Sequence, residues 1–355
     1  MKFIHIADIH LGATPDATMP WGSQREKELW RSFENIILRC NEDKIDLLLI
    51  AGDLFHRQPL LRELKEVNYI LGKLITTKVV IMAGNHDFMG ARSHYQGFEW
   101  CEGVYMFSSD QISKVVLEDL KTEVYGLSYL TRDITQALYD EVKPQENGYR
   151  HILLAHGGDE KDIPMNRKRM LESGFDYIAL GHIHKAEKIS SKMAYSGSLE
   201  PIDKNEIGEH GYIKGVIDFD DEGRSFTEIQ FVPHSFRQYK RVSLPVSQET
   251  TNGALVDLVK ETIELQGKSH IYSFYLQGIR DESIHFNKET IMTLGCVLDV
   301  VDQSVPDYDF DGLLKDNEDN IIGMFIKSIR DNVKQDEVAR KALYYGIEAL
   351  MGAKN

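Results

Sequence analysis

Histidine and acidic side chains follow short apolar runs at five places in the sequence. These runs end in the segments ADIH, AGDLFH, AGNHD, LAHGG and LGHIH. Side chains two residues apart in an extended segment point the same way. Asp8 with His10, and His182 with His184, can therefore each present two groups to one ion. Imidazole, carboxylate and amide donors without a cysteine suit Mn²⁺, Fe²⁺ or Zn²⁺ rather than a structural zinc. We interpret the five segments as parts of one metal centre.

The candidate ligands number seven, which is too many for one ion and suits two. Two metal ions about 3.5–4 Å apart can clamp the attacking and leaving oxygens of a phosphoryl group. One carboxylate must bridge such a pair, and Asp53 is the natural choice. The predicted metal ligands are Asp8, His10, Asp53, Asn85, His156, His182 and His184.

The stretch VVIMAGNHDF carries a further imidazole between an amide and a carboxylate. A histidine held by a carboxylate can stabilise charge on a phosphate or protonate a leaving alkoxide. We therefore predict that His86 is catalytic and that Asp87 orients it, although Asn-His-Asp after glycine is also typical of a simple turn. We also place His56 at the site, as an outer or substrate-facing group, with a surface histidine as the alternative.

These side chains need a scaffold that brings several strand ends together. The runs KFIHIAD, IDLLLIAGD and KVVIMAGNHD are typical of buried strands, and helical periodicity separates them over residues 24–40 and 60–74. This β-α-β-α-β order predicts parallel strands, whose carboxyl ends meet at one crevice. Further strands are predicted in TEVYGLSYL, HILLAHGG and FDYIALGHIH.

The last third of the chain predicts a second, smaller α/β domain. After a link near residues 233–239, a helix is expected over residues 253–266 and a strand in HIYSFYLQGI. The acidic segment 299–319 is rich in turn formers and is predicted to be a loop. Two helical patterns follow, over residues 321–329 and 337–351.

Composition narrows the class of protein. A chain of 355 residues exceeds what one core usually holds, so two domains are expected. It contains no apolar run of about 18 residues, so no membrane span is expected. Cys40, Cys101 and Cys296 form no CxxC pair, which is typical of reduced thiols in the cytoplasm. The net charge of −15 argues against simple nucleic-acid binding, which normally uses a basic surface.

With these motifs the chain resembles the calcineurin-like metallophosphoesterase superfamily, and more narrowly the SbcD-type nucleases of DNA double-strand-break repair. The superfamily pattern D-x-H, G-D, G-N-H-D/E, H and G-H-x-H is intact between Asp8 and His184. The form GDLFH and the aspartate in GNHD fit the nuclease branch.

The resemblance implies a ligand set for each ion. One ion would take Asp8, His10, Asp53 and His184, and the other would take Asp53, Asn85, His156 and His182. His86 would be the catalytic histidine, with Asp87 supporting it and His56 near the substrate phosphate. Mn²⁺ is the expected ion, with Fe²⁺ or Zn²⁺ as alternatives.

The resemblance also implies a fold and partners. The expected fold is a four-layer α/β/β/α sandwich over residues 1–235, followed by a small α/β capping domain that helps to position DNA, over residues 236–310. The C-terminal helical segment, residues 311–355, either binds an SMC-like SbcC-type ATPase or merely packs on the cap. A homodimer is expected.

Three functions follow from these observations. The first is an Mn²⁺-dependent DNA exonuclease, with endonuclease activity as an addition, in an SbcCD-like repair complex. The second is a small-molecule or nucleotide phosphodiesterase or phosphatase, which the acidic charge favours and the long C-terminal region disfavours. The third is a non-catalytic interaction module, against which the intact ligand set argues, because decayed sites usually lose ligands first.

Overall fold

The structure is a computed structural model that describes residues 1–332 and 337–352. The chain divides into two units, Met1–Tyr239 and Lys240–Asn355. Buried apolar residues form separate clusters in the two units, so each unit has its own core. Among the described residues, no helix is both long enough and apolar enough to cross a bilayer.

The first unit is built mainly of short strands. Its helices are α1 (Gly22–Glu42), α2 (Leu61–Leu71) and α3 (Arg167–Leu171), and Glu118–Leu120 forms a short 3₁₀ turn. Its strands are β1 (Lys2–Ile6), β2 (Leu47–Ala51), β3 (Lys78–Met82), β4 (Val104–Met106), β5 (Ser113–Leu117), β6 (Thr122–Gly126), β7 (Arg150–His156), β8 (Tyr177–Gly181), β9 (Glu187–Ser190), β10 (Met193–Tyr195), β11 (Gly211–Phe219) and β12 (Ser225–Pro233).

The strands form two six-stranded mixed sheets, as expected for the predicted α/β sandwich. The first sheet has the order β12-β11-β1-β2-β3-β4 and the second has the order β5-β6-β7-β8-β10-β9. Strands β1 to β4 run parallel, which confirms the β-α-β-α-β prediction for this region. Strands β6, β7 and β8 are also parallel, so the carboxyl ends of the central strands lie at one edge of each sheet.

Strand β2 shows how the sequence produces the layers. Alternate side chains of a strand point to opposite faces. Leu47 and Leu49 join the core cluster that contains the second sheet, whereas Leu48 and Ile50 join the cluster that contains α1 and α2. Because both faces are covered, every residue of β2 is apolar and buried. The strand is therefore a rigid support for the polar residues that follow it.

The second unit contains a four-stranded sheet and helices. Its order is β13-β14-β15, and β16 pairs with β14. Its elements are β13 (Tyr239–Val246), α4 (Asn252–Gln266), β14 (Ile271–Arg280), α5 (Lys288–Met292), β15 (Val297–Asp302), β16 (Val305–Pro306), α6 (Phe310–Asp316), α7 (Ile321–Asn332) and α8 (Glu337–Gly352).

The predicted loop over residues 299–319 is wrong. This segment contains most of β15, all of β16 and helix α6. Asp309 is the N-cap of α6, and its side chain accepts hydrogen bonds from the backbone N–H groups of Asp311 and Gly312. Aspartate is favoured at helix N-termini as well as in turns. The aspartates of this segment were interpreted as turn formers, but Asp309 caps a helix.

Candidate metal centre

The seven candidate ligands all lie at the carboxyl ends of central strands. In the first sheet, Asp8 and His10 follow β1, Asp53 follows β2 and Asn85 follows β3. In the second sheet, His156 ends β7, and His182 and His184 follow β8. The two sheets share one core, so these strand ends converge on a single region.

One cluster of donor atoms joins the two sheets. The ligand atoms of Asp8, His10 and His184 lie within 4.8 Å of one another. The Nε2 atoms of His10 and His184 are 2.9 Å apart, and both Asp8 and His10 are fully buried. Two imidazole nitrogens and a carboxylate are thus directed at one buried point, although 174 positions separate His10 from His184 in the chain.

A second cluster lies beside the first and shares Asp8. It contains Asp8, Asp53 and His156, all of them buried. His156 Nε2 is 3.5 Å from an oxygen of Asp53 and 3.0 Å from Oδ1 of Asn85. His156 Nδ1 donates to the carbonyl oxygen of Ala51 at 2.8 Å, so Nε2 is left facing the cluster. Asp53 is also 3.9 Å from His10 Nε2, which places this carboxylate between the two clusters.

The backbone is strained at several of these ligands. Asp8, His10 and Asp53 have φ near +50°, and His182 has φ of +98°. Non-glycine residues rarely adopt this region, and such strain persists only where the surrounding structure enforces it. Hydrogen bonds supply part of that enforcement, because the His182 N–H donates to both carboxylate oxygens of Asp8 at 3.0–3.1 Å.

Gly84 allows a close approach between two of the strand ends. A Cβ atom at this position would lie 2.2 Å from Oδ1 of Asp53. No side chain can be accommodated there without moving that carboxylate. Gly52 has the same role opposite His156, whose Nδ1 would lie 2.3 Å from an added Cβ.

Burial and proximity set the charges of the cluster. Burial raises the pKa of Asp8, whereas the imidazoles of His156 and His10 overcome burial and lower the pKa of Asp53. Burial alone would lower the pKa of His156, but Asp53 raises it to about 9. Burial lowers the pKa of His10 well below its usual range, which favours a neutral imidazole there. Asp53 is therefore more strongly held in its deprotonated form than Asp8.

His86 and His56 lie at the outer rim of the two clusters. Their rings stack with centroids 5.3 Å apart, and the ring of His10 lies 4.9 Å from that of His86. His86 Nδ1 donates to the carbonyl oxygen of His56 at 3.1 Å, which leaves Nε2 unengaged among the described hydrogen bonds. His56 is exposed and its Nδ1 is 3.3 Å from Nδ1 of His10. Two imidazoles thus face solvent beside the buried donors.

The structure corrects the predicted contact between Asp87 and His86. Asp87 is fully buried and accepts hydrogen bonds from the backbone N–H groups of Gly84 and Phe55 and from the hydroxyl of Tyr95. The carboxylate therefore ties together the loops that follow β2 and β3, rather than holding the imidazole directly. Asp87 is next to His86 in sequence, but its carboxylate points away from that imidazole because three donors from these two loops surround it.

Two acidic residues that the sequence did not reveal contact the ligand histidines. Glu206 Oε1 lies 2.6 Å from His184 Nδ1, and Asp159 Oδ2 lies 3.0 Å from His182 Nε2. Glu206 does not follow an apolar strand, and Asp159 lies three residues after the end of β7, beyond the histidine that marked that strand end. A hydrogen-bonding residue outside the ligand motifs has no fixed spacing to search for.

The donor set fits two divalent cations. Buried carboxylates and imidazoles are costly unless they are paired or bind a metal, and here nitrogen donors face each other at 2.9 Å. Nitrogen and oxygen donors without thiolate match Mn²⁺, Fe²⁺ and Zn²⁺. Asp8 belongs to both clusters, and Asp53 lies 3.5 Å from His156 of one and 3.9 Å from His10 of the other, so two carboxylates lie where a bridging ligand is needed.

Comparison with known proteins identifies relatives of this chain. The family model described as calcineurin-like phosphoesterase matches residues 1–186, a range that contains all seven candidate ligands but not Glu206. An uncharacterized metallophosphoesterase of Bacillus subtilis, YhaO, is 25% identical over 306 residues, which are 79% of this chain and 73% of that protein.

Proteins named for DNA repair are also similar. The DNA double-strand break repair protein Mre11 of Methanocaldococcus jannaschii is 30% identical over 264 residues, covering 69% of each chain. The protein of the same name from Aeropyrum pernix is 28% identical over 236 residues, which are 59% of this chain and 56% of that protein.

Proposed function

Because this chain belongs to the calcineurin-like phosphoesterase family, we propose that it is a DNA exonuclease dependent on two Mn²⁺ ions, with endonuclease activity as an addition. The observation that carries the proposal is the pairing of a buried two-cluster ligand set with two imidazoles at its exposed rim. The buried set suits phosphoester hydrolysis in general. Because His56 and His86 lie at the exposed rim, the proposal covers a polymeric as well as a small phosphoester.

The ligands have separate tasks in this proposal. Asp8, His10, Asp53 and His184 would hold one ion, and Asp53, Asn85, His156 and His182 would hold the other. When bound, the ions supply Lewis-acid stabilisation of the phosphoryl transition state and activate the attacking water. Fe²⁺ and Zn²⁺ suit the same donors, and we select Mn²⁺ on the resemblance to nucleases.

His86 acts on the phosphate in this proposal. Its Nδ1–H is fixed on the carbonyl oxygen of His56, so a protonated ring presents Nε2–H outward. That group stabilises charge on a phosphate oxygen or protonates the leaving alkoxide. His56 lies beside it and contacts the same phosphate, while Asp87 acts only by fixing the loop that carries His86.

DNA is the proposed substrate because several relatives carry the name of a DNA double-strand break repair protein. The chain has 56 acidic against 41 basic residues, a net charge of −15, so it offers little net positive charge to neutralise phosphates, and affinity for DNA depends on that neutralisation. We therefore propose that firm binding of DNA requires a partner, an SMC-like SbcC-type ATPase, and that the protein acts as a homodimer in the cytoplasm. Residues 236–310 are the proposed capping domain.

The C-terminal helices are the proposed ATPase-binding segment. Helices α7 and α8 share a small core that includes Ile326 and Ile347, both fully buried. The same helices leave large apolar side chains exposed, including Met324 at 66% and Tyr345 at 70%. Large exposed apolar patches mark protein-binding sites, and we propose that these side chains belong to such a patch.

Digestion of end-labelled linear duplex DNA with Mn²⁺ tests the proposal. We expect the wild type to degrade the DNA and His86→Ala to lose about 10²- to 10⁴-fold in rate, the usual contribution of a general acid. His94→Ala is the matched control, because His94 is an exposed histidine of the same loop region outside the clusters. Equal rates for the wild type and His86→Ala would contradict the assignment of His86.

A small-molecule phosphodiesterase is the second candidate, and the acidic net charge favours it. Hydrolysis of bis-p-nitrophenyl phosphate in the same buffer separates the two. Cleavage of the dye ester with intact DNA, at low salt and with an SbcC-type ATPase added, would replace the nuclease proposal by the second candidate.

A further inference from the structure

Glu206 holds His184 from outside the donor cluster. Its Oε1 accepts from His184 Nδ1 at 2.6 Å, and its Oε2 accepts from the backbone N–H of Ile202 at 2.8 Å. The backbone contact fixes the carboxylate, and the carboxylate fixes the ring. The other ring nitrogen of His184, Nε2, faces His10 in the cluster.

Asp159 holds His182 in the same manner, but it contacts Nε2 of that ring, whereas Glu206 contacts Nδ1 of His184. Its Oδ2 accepts from His182 Nε2 at 3.0 Å, while its Oδ1 accepts from the backbone N–H groups of Lys161 and Asp162 at 2.8–2.9 Å. Asp162 also has an oxygen 3.8 Å from His182 Nε2, which is too long for a hydrogen bond. The nitrogen left for the centre is therefore Nδ1.

We propose that Asp159 and Glu206 are positioning residues that fix His182 and His184 in opposite tautomers. His184 binds its ion through Nε2, and His182 binds the other ion through Nδ1. This inference rests on the proposed two-metal centre but not on DNA as the substrate. Carboxylates in this position hold the ring orientation and raise the basicity of the ligand nitrogen, and their loss typically lowers metal affinity 10- to 100-fold.

Opposite tautomers answer a geometric need of the sequence His-x-His. The two rings start two positions apart in one short segment after β8, and their donor atoms lie in different groups: His184 lies with Asp8 and His10, and His182 lies with Asp159 and Asp162. The ring of His182 lies 5.3 Å from that of His156, whereas the ring of His184 lies 4.8 Å from that of His10. His182 would bind through Nδ1, the ring nitrogen nearer the backbone, and His184 would bind through Nε2, the more distant one. One short segment can therefore reach both ions.

Amide substitutions test the proposal without changing side-chain size. Each carboxylate uses one oxygen on backbone N–H and the other on a histidine. An amide has one oxygen, so Glu206→Gln and Asp159→Asn must each turn an NH₂ group toward one of these donors. Neighbouring exposed glutamates provide matched controls, because Glu209→Gln and Glu160→Gln remove the same charge without a described contact to a ligand.

Titration of the metal-free full-length protein with Mn²⁺ by calorimetry is the first measurement. We expect two ions for the wild type and for both controls. Glu206→Gln should weaken one ion about 100-fold and Asp159→Asn should weaken one ion about 10-fold, because Asp159 is about half exposed and solvent replaces its contact more easily. Wild-type isotherms for both variants would overturn the proposal.

A spectroscopic measurement on the wild type needs no variant and so survives any folding defect. In the Zn²⁺-loaded protein, ¹⁵N shifts of labelled histidine should show a protonated Nδ1 on His184 and a protonated Nε2 on His182. The same protonated nitrogen on both rings would contradict the opposite tautomers. Thermal unfolding of the metal-free variants within a few degrees of the wild type separates lost positioning from lost structure.

The outcomes are distinguishable from failure of the proposed function. A protein that binds two ions with the expected tautomers but leaves DNA intact keeps the positioning roles and loses only the nuclease proposal. Three Mn²⁺ ions in the wild type and two in Asp159→Asn would overturn the role of Asp159, because the group would then be a ligand of a further cation.

Discussion

Replacement of Gly84 by alanine should disrupt the candidate metal centre while leaving the fold in place. The added Cβ would lie 2.2 Å from Oδ1 and 2.7 Å from the backbone nitrogen of Asp53. Contacts of a Cβ below 3.0 Å are essentially never seen, so Asp53 must shift. The shift needed is about 1 Å, and a misplacement of that size costs on the order of 10²-fold in rate.

The loss of metal affinity in Gly84→Ala should be at least as large as the loss of rate. Ligand distances in metal sites hold within about 0.2 Å, so a carboxylate displaced by about 1 Å no longer serves as a ligand. Asp53 also accepts the His86 N–H at 2.9 Å, so the same shift moves His86, the proposed catalytic histidine. We expect Gly84→Ala to bind Mn²⁺ with reduced stoichiometry and to hydrolyse bis-p-nitrophenyl phosphate about 10²-fold more slowly or worse.

Calorimetric titration with Mn²⁺ and the dye assay provide the measurements, and circular dichroism checks the fold. Gly253→Ala is the matched control, since the nearest atom to its added Cβ is 3.9 Å away. Wild-type stoichiometry and rate in a folded Gly84→Ala protein would refute the reasoning that this glycine exists to admit the Asp53 carboxylate.

Two further predictions concern buried carboxyl groups. Burial raises the pKa of Glu200 to about 7, so the folded state binds a proton that the unfolded state releases, and stability should fall as the pH rises from about 4.5 to about 7. Urea unfolding at both ends of that range should show that the free energy of unfolding falls by up to about 3 kcal/mol for the wild type and by less for Glu200→Gln. Equal losses in the two proteins would contradict the assignment of this pH dependence to Glu200. Tyr95→Phe removes one of three donors to the buried Asp87 and should cost about 1–3 kcal/mol in thermal unfolding, whereas Tyr105→Phe, with a partly exposed ring, should cost almost nothing. No difference between the two tyrosine variants would show that the Asp87 contact is dispensable.

The parallel core of the first unit was predictable because its signals are local. Short continuous apolar runs such as Leu47–Ala51 are typical of buried strands, and the polar residues after them then share one edge of the sheet. The short strands β4, β5 and β9 were missed, since their residues are mostly exposed or half-buried and lack a continuous apolar run.

The outer contacts of the site could not be predicted from spacing. Glu206 and Asp159 reach their histidines from loops whose course depends on the packing of both sheets. Asp87 was expected to hold its neighbour His86, but its carboxylate accepts hydrogen bonds from backbone N–H groups of two loops instead. Sequence proximity does not decide a hydrogen bond when a loop folds back on itself.

The order in which the donors occur along the chain has a consequence for biosynthesis. Asp8, Asp53 and Asn85 emerge from the ribosome early, but their partners His182 and His184 belong to the second sheet. At about 5–20 residues per second, the interval between Asn85 and His182 lasts roughly 5 to 20 s. During that interval the nascent chain carries only a partial set of donors and cannot complete either ligand set. The candidate metal centre is divided between two sheets and therefore cannot assemble until both have been made.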